Sequence, residues 1–170
     1  MADKLRESRA ILRAATADDL DAINDIYNHY VLHSTCTYQE TAEPMAGWRR
    51  WFVGHGAGHP VTVAEIGGKV VGWGSLSPYH ARSAYRNTVE NSVYVHHEFH
   101  RRGIGSMILK DLIERSRAIG HRAIIAGIDA EQMGSVRLHE KFGFEKVGHF
   151  RQVGFKFGRW LDVIYMELLL

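Results

Sequence analysis

The segment Val93-Tyr94-Val95-His96-His97-Glu98-Phe99-His100-Arg101-Arg102-Gly103-Ile104-Gly105-Ser106 carries the strongest chemical signal in this 170-residue chain. A β-rich stretch ends, a basic turn with two glycines follows, and an amphipathic pattern begins. Backbone N–H groups at a helix start lack intrahelical partners, and the helix dipole adds partial positive charge there. Glycine lets the main chain approach an anion, and Arg101 and Arg102 add charge, so the pattern suits a diphosphate. An ordinary strand-to-helix turn shares some of these features. The combination of strand, basic turn, Gly-x-Gly and helix is what points to an anion. Two nucleotide loops do not fit: the Gly-Lys-Ser/Thr of a P-loop is absent, and so is the three-glycine dinucleotide fingerprint with its downstream acid.

Glu90 is the second chemical feature. It is a lone carboxylate in an otherwise apolar or neutral β-rich run, a few residues before Val93. A carboxylate so placed can accept a proton from a reacting group. A strand glutamate that faces solvent or pairs with an arginine has the same pattern, and the residues alone leave both readings open. The chain has eleven histidines, but His96, His97 and His100 flank a loop without the i, i+4 spacing of helical metal ligands, so no metal is expected. Cys36 is the only cysteine, which excludes an intrachain disulfide and a cysteine-based zinc framework. It lies outside every motif and is not expected to act as a nucleophile.

The elements that must position these residues follow from periodicity. Residues 11–13 read as a short strand. Thr16 can cap a helix on which Leu20, Ile23, Tyr27 and Tyr30 recur at helical spacing. Pro44, Met45, Trp48, Trp51 and Phe52 predict a second helix, ended by the glycines near Gly54. Residues 61–66 and 69–73 flank Gly67-Gly68 as a hairpin. Strands over 88–96 and 122–128 alternate with helices over 105–120 and 134–142, and two strand-like runs, 146–153 and 160–169, finish the chain. The length and the 45% hydrophobic, 24% charged composition suit one domain, without repeats or low-complexity segments. A formal charge of +2 gives no nucleic-acid footprint. No apolar run is long enough to span a bilayer, and the charged N-terminus lacks the apolar core of a signal peptide, so a cytoplasmic protein is expected.

His100-Arg101-Arg102-Gly103-Ile104-Gly105 resembles the Gln/Arg-x-x-Gly-x-Gly/Ala pyrophosphate loop of the GNAT acetyltransferase superfamily, with His100 in the opening position. Three further stretches resemble the phosphinothricin N-acetyltransferase family, which includes methionine sulfone and methionine sulfoximine acetyltransferases. They are Thr88-Val89-Glu90-Asn91-Ser92-Val93-Tyr94-Val95, Ser135-Val136-Arg137-Leu138-His139-Glu140-Lys141-Phe142-Gly143-Phe144, and Val153-Gly154-Phe155-Lys156-Phe157-Gly158-Arg159-Trp160-Leu161-Asp162. The resemblance runs from about Ile11 to the C-terminus.

It implies an α/β fold of GNAT type, with one mixed, mostly antiparallel central sheet flanked by helices, as a single N-acetyltransferase domain over residues 1–170. It implies acetyl-CoA as co-substrate, no metal, and direct transfer in a ternary complex to the amine of a small amino-acid-like acceptor. Val93, Tyr94 and Val95 would present backbone groups to the pantetheine and thioester. Arg101, Arg102, Gly103, Ile104, Gly105 and Ser106 would wrap the pyrophosphate. Gln132 stands where relatives usually carry an asparagine that bonds the pantetheine arm, and Lys141 lies near the same wall. Glu90 becomes the general base. His139 falls where many GNAT enzymes place the tyrosine that protonates the CoA thiolate, and Tyr94 is a second candidate acid. Tyr38, His80, Arg82, Ser83 and Tyr85 take substrate-binding positions. Relatives are dimers, and the apolar run 163–170 needs cover, so a homodimer is expected. Two rivals remain open. A protein or peptide acetyltransferase needs an open groove where this chain has an aromatic-rich entrance, and a non-catalytic CoA-binding domain has no need of Glu90 and His139 together.

Overall fold

The computed structural model describes residues 9–170. The charged stretch 1–8, which entered the reading of the N-terminus, lies outside the described residues. The elements run β1 (Ile11–Ala14), α1 (Leu20–His33), α2 (Met45–Val53), β2 (Val61–Ile66), β3 (Lys69–Pro78), β4 (Thr88–Val95), α3 (Ile104–Ile119), β5 (Ala123–Asp129), α4 (Met133–Lys141), β6 (Glu145–Lys156) and β7 (Arg159–Leu169). The strands form one seven-stranded sheet in the order β1-β2-β3-β4-β5-β7-β6. Every pairing is antiparallel except β4 with β5, so the sheet is mixed and mostly antiparallel, as expected.

Alternation along β4 sends its side chains to two different cores. Val89, Val93 and Val95 pack with Ile104, Ile108 and Leu112 of α3 and Val136 of α4. Tyr94 points the other way, into a cluster of Leu20, Ile23 and Ile26 from α1, Trp48 from α2, and Trp73 from β3. Helices α3 and α4 therefore cover one face of the sheet, and α1 and α2 the other. Thr16 begins a short 3-10 turn, Ala17–Asp19, that leads into α1. The Asp19 carboxylate there accepts the Thr16 backbone N–H at 2.7 Å and two Arg13 N–H groups at 2.7 Å each. That pairing holds the Asp19 carboxyl below its usual range.

The apolar C-terminal run finds its cover inside its own sheet. β7 lies between β5 and β6, which buries Leu161, Met166 and Leu168. Exposed apolar surface sits instead on the edge strand β6 and the hairpin tip, at Phe150, Val153, Phe155, Phe157 and Trp160.

Helix α3 approaches the sheet closely because β3 carries glycine where they meet. A Cβ on Gly74 would lie 2.4 Å from Ile108 Cγ2, 2.9 Å from Ser92 O and 3.0 Å from Leu112 Cδ1. Gly74→Ala is therefore expected to destabilise the fold by about 1–3 kcal/mol through overpacking, read as a lower urea midpoint with unchanged slope. A variant as stable as the parent would mean that α3 can lift off β3 without penalty.

Candidate active site

The central strands part company at Glu90. β4 pairs with β5 only at Thr88↔Ala123, Val89↔Ile124 and Glu90↔Ile125. Beyond that point β4 stays with β3 as far as Val95, and β5 stays with β7 as far as Asp129. The sheet opens like a wedge, and the β5-facing edge of β4 has no partner strand from Asn91 onward. A cavity of about 710 Å³ fills the opening, lined by residues 90–95 of β4, 126–129 of β5, the basic loop and α4.

The loop is built around two left-handed residues. Arg101 has φ 59°, uncommon for a residue with a side chain and often found where the backbone is held for function. Gly103, at φ 77°, is the N-cap of α3, and no heavy atom lies within 4 Å of where its Cβ would be. The first backbone bond of α3 runs from Met107 N–H to Gly103 O, so the N–H groups of the first turn are left for another acceptor. This open, positively polarised cradle fits a diphosphate. His100 fastens the loop to its neighbours. Its Nε2 lies 3.1 Å from Val95 O and within hydrogen-bonding reach of the Tyr30 hydroxyl, which itself donates to Val95 O.

Glu90 sits half-buried at the apex of the wedge. A Cβ on Gly127 would lie 3.5 Å from Glu90 Oε1 and 3.5 Å from Tyr165 Cε1, which places the carboxylate over a glycine and beside a phenol ring. Burial pushes the Glu90 carboxyl above its ordinary range, with His80 pulling the other way. A carboxylate raised in this manner is suited to accepting a proton near neutral pH.

His139 belongs to the opposite face. It is 3% exposed, and its Nδ1 lies 2.8 Å from the Ser135 carbonyl, which can only accept. Nδ1 therefore carries the proton, and Nε2 accepts from Asn91 Nδ2 at 3.0 Å. Burial lowers the imidazole pKa and keeps the ring neutral. In this tautomer Nε2 has no proton to give, and the ring ties α4 to β4. Tyr94 lines the cavity with its hydroxyl pKa driven well up by burial, so it stays protonated but gives up its proton reluctantly.

Of the other residues singled out, Val93, Val95, Arg101, Gly103, Ile104, Gly105, Ser106, Gln132 and Tyr38 line the wedge together with Glu90, Tyr94 and His139. Arg102 does not line it; its guanidinium lies 5.0 Å over the Phe99 ring. Lys141 is exposed at the end of α4 and also stays outside. His80, Arg82, Ser83 and Tyr85, expected to bind substrate, form an exposed loop and do not line the cavity; His80 packs on Tyr79 and Tyr85.

The structure adds residues that the sequence pattern did not single out. Tyr30, Cys36, Thr37, Asn91, Asp129, Ser135 and Tyr165 all line the cavity. Burial raises the Cys36 thiol pKa and keeps it protonated, hence a poor nucleophile. The loop carrying Cys36 to Tyr38 is held from below. Lys156, 1% exposed, donates 2.7 Å bonds to the carbonyls of Ser34 and Thr37, and the Tyr38 hydroxyl donates to Asp162 O at 2.9 Å. The Thr35 hydroxyl donates to Asp129 at the end of β5.

The sequence profile of the acetyltransferase (GNAT) family matches residues 21–144. The chain is 38% identical over 160 residues to the L-methionine sulfoximine/L-methionine sulfone acetyltransferase of Salmonella typhimurium, covering 94% of each. It is also 38% identical to the phosphinothricin N-acetyltransferase of Streptomyces viridochromogenes, over 92% of this chain and 85% of that one. Among solved structures, a phosphinothricin acetyltransferase from Sinorhizobium meliloti in complex with AcCoA superposes with a TM-score of 0.91 at 40% identity, over 95% of this chain and 88% of the other.

The hydrogen-bond logic around His139 gives a direct expectation. Nitrogen-15 NMR should find the ring neutral at pH 7 as the Nδ1–H tautomer, and still neutral below the ordinary imidazole pKa of about 6.5. A protonated ring at pH 7, or the Nε2–H tautomer, would make His139 a proton donor toward the wedge.

Proposed function

The chain belongs to the GNAT acetyltransferase family, and from that premise we propose that it transfers the acetyl group of acetyl-CoA to the α-amine of a small amino acid of the methionine sulfone, methionine sulfoximine or phosphinothricin type. The observation that carries this reading is Glu90, a carboxylate with a raised pKa at the point where β4 leaves β5. Acetyl-CoA supplies an activated thioester. The cradle of Gly103 and the α3 N-terminus, with Arg101 beside it, holds the diphosphate. The unpaired edge of β4 from Asn91 to Val95 offers backbone groups to the pantetheine arm, with Gln132 across the wedge.

An ammonium group cannot attack a thioester, so its proton must leave first. Glu90 takes that proton, directly or through a water. As the new C–N bond forms and the C–S bond breaks, the departing sulfur carries the electron pair and is protonated in turn. Tyr94 lines the cavity and keeps its proton, which makes it the better placed of the two candidate donors. Tyr38 and the 80–85 loop supply the acceptor's outer wall, and Arg82 there can grip a carboxylate with paired N–H groups. The unpaired Cys36 suits a reducing, cytoplasmic setting.

We also assign the exposed apolar side chains of β6 and its hairpin to a homodimer contact. Phe150, Val153 and Phe155 on the edge strand β6, with Phe157 and Trp160 at the hairpin that joins it to β7, are each more than half exposed, an association hazard unless covered. Light scattering at working concentration should give twice the chain mass, and Trp160→Glu should shift the protein toward monomer. A wild-type monomer overturns the assignment.

Glu90→Gln is expected to lower kcat by roughly 10²–10⁴-fold while leaving the KM for acetyl-CoA nearly unchanged. In the wild type, kcat/KM should fall with acid as Glu90 is protonated, on a limb set above the usual carboxylate range. The variant should recover part of its activity at high pH, where the amine is already free. Near-normal kcat for Glu90→Gln at neutral pH would mean that the proton leaves by another route.

A further inference from the structure

A second cavity, of about 320 Å³, lies between α2 and the β3–β4 face of the sheet. Tyr27, Trp48, Trp51, Trp73 and Tyr94 line it, and Glu43 is the only charged side chain among its lining residues. The place of that carboxylate is fixed by its surroundings. Asn28 of α1 holds the Glu43 backbone twice: the Glu43 N–H donates to Asn28 Oδ1 at 2.8 Å, and Asn28 Nδ2 donates to Glu43 O at 3.1 Å. The side chain then folds back over Gly47 in the first turn of α2, itself part of the lining. A Cβ on Gly47 would lie 1.6 Å from Glu43 Oε1, so any side chain there would push the carboxylate away. The start of a helix favours a negative charge. Yet among the described residues no arginine, lysine or histidine pairs with Glu43.

The lining selects the ligand's chemistry. Trp48 and Trp73 are buried, and burial raises the Tyr27 and Tyr94 hydroxyl pKa values and keeps both phenols neutral. Such walls lower the local dielectric, which strengthens a charge pair formed against them. The Glu43 carboxylate repels an anion, and a neutral group leaves it unpaired. A cation on an apolar stem satisfies the carboxylate and the rings together. Ser92 and Tyr94 line both this cavity and the wedge, so the two spaces adjoin along β4. Ser92 lies two residues beyond Glu90 on the same face of that strand, about 7 Å along it. An extended side chain of lysine length covers that distance from an amine held at Glu90.

Resting on the proposed acetylation of amino acids, we propose that the Glu43 cavity receives a cationic side chain, which makes dibasic amino acids such as lysine and ornithine acceptors. The α-amine lies at Glu90, and the side-chain ammonium pairs with the Glu43 carboxylate. Initial rates at saturating acetyl-CoA with lysine, its uncharged isostere norleucine, and methionine sulfone test this. The wild type should favour lysine over norleucine by about tenfold or more in kcat/KM. Glu43→Gln removes the charge, and Gly47→Ala keeps the charge but displaces it from the cavity. Each variant should lose about tenfold of the lysine-to-norleucine ratio, with the KM for acetyl-CoA unchanged. If Gly47→Ala fails to fold, Glu43→Gln decides. No wild-type preference for lysine, or an unaltered ratio in a folded variant, overturns the cation site; turnover of norleucine or methionine sulfone then leaves amino-acid acetylation standing. Turnover of none of the three overturns both.

Discussion

Everything in the site follows from a pairing that stops. Parallel strands β4 and β5 share three registered pairs and then diverge, each still bound on its far side. A strand edge inside a sheet is normally satisfied by its neighbour, so an unpaired edge in the interior carries a standing demand for hydrogen bonds. The same divergence opens a space that side chains from both faces can reach. The fold tolerates it because each half of the sheet is anchored separately. On one side α3 lies against Gly72 and Gly74 of β3, and on the other β7 follows β5 through seven registered pairs. Removing either anchor would let the halves close or drift, and the cradle, the carboxylate and the free edge would be lost together.

The two halves are also laced across the opening. Lys156 and Tyr38 bind the β6–β7 hairpin to the loop after α1, and Thr35 binds that loop to Asp129 at the end of β5. Tyr30 and His100 bind α1 to the end of β4. The wall opposite Glu90 is thus positioned by groups far away in sequence: Lys156 lies 122 residues from Ser34. A buried lysine whose pKa is lowered by desolvation stays in place because two carbonyls accept its protons. Its two bonds hold the loop that carries Cys36 to Tyr38.

This explains what the sequence could and could not reveal. The strand–glycine–helix cradle and Glu90 are local signals. Each depends on residue types within a few positions, and both were legible, as were the alternation of elements and the hairpin at Gly67-Gly68. The long-range ties were not legible. Tyr30 reads as one more apolar position on α1, since periodicity records its ring and not its hydroxyl. Trp48 and Trp73 likewise read as core, and nothing in their spacing shows that they line a second cavity. The apolar C-terminal run suggested an edge in need of cover, but strand order in a sheet is not encoded in strand composition, and β7 turned out to be internal.

The placement of Glu90 and His139 on opposite faces of β4 has a consequence for how protons move. Residues 90 and 91 are adjacent in sequence, yet alternation sends Glu90 toward α1 and α2 and Asn91 toward α4. Asn91 then uses its amide N–H on His139, and that bond together with the Ser135 carbonyl fixes the imidazole as a neutral acceptor. In that tautomer His139 has no proton to offer the cavity, and its two hydrogen bonds tie α4 to the splayed strand. Glu90, Tyr94 and the half-buried Tyr165 share the other face, where burial raises all three pKa values. Of these three the carboxylate is the one that can be ionised at neutral pH, and the phenols remain protonated. Under the proposed reaction, acceptance and donation of protons would thus be divided between neighbours by a single cause, desolvation, which pushes an acid toward neutrality from below and holds a phenol protonated from above.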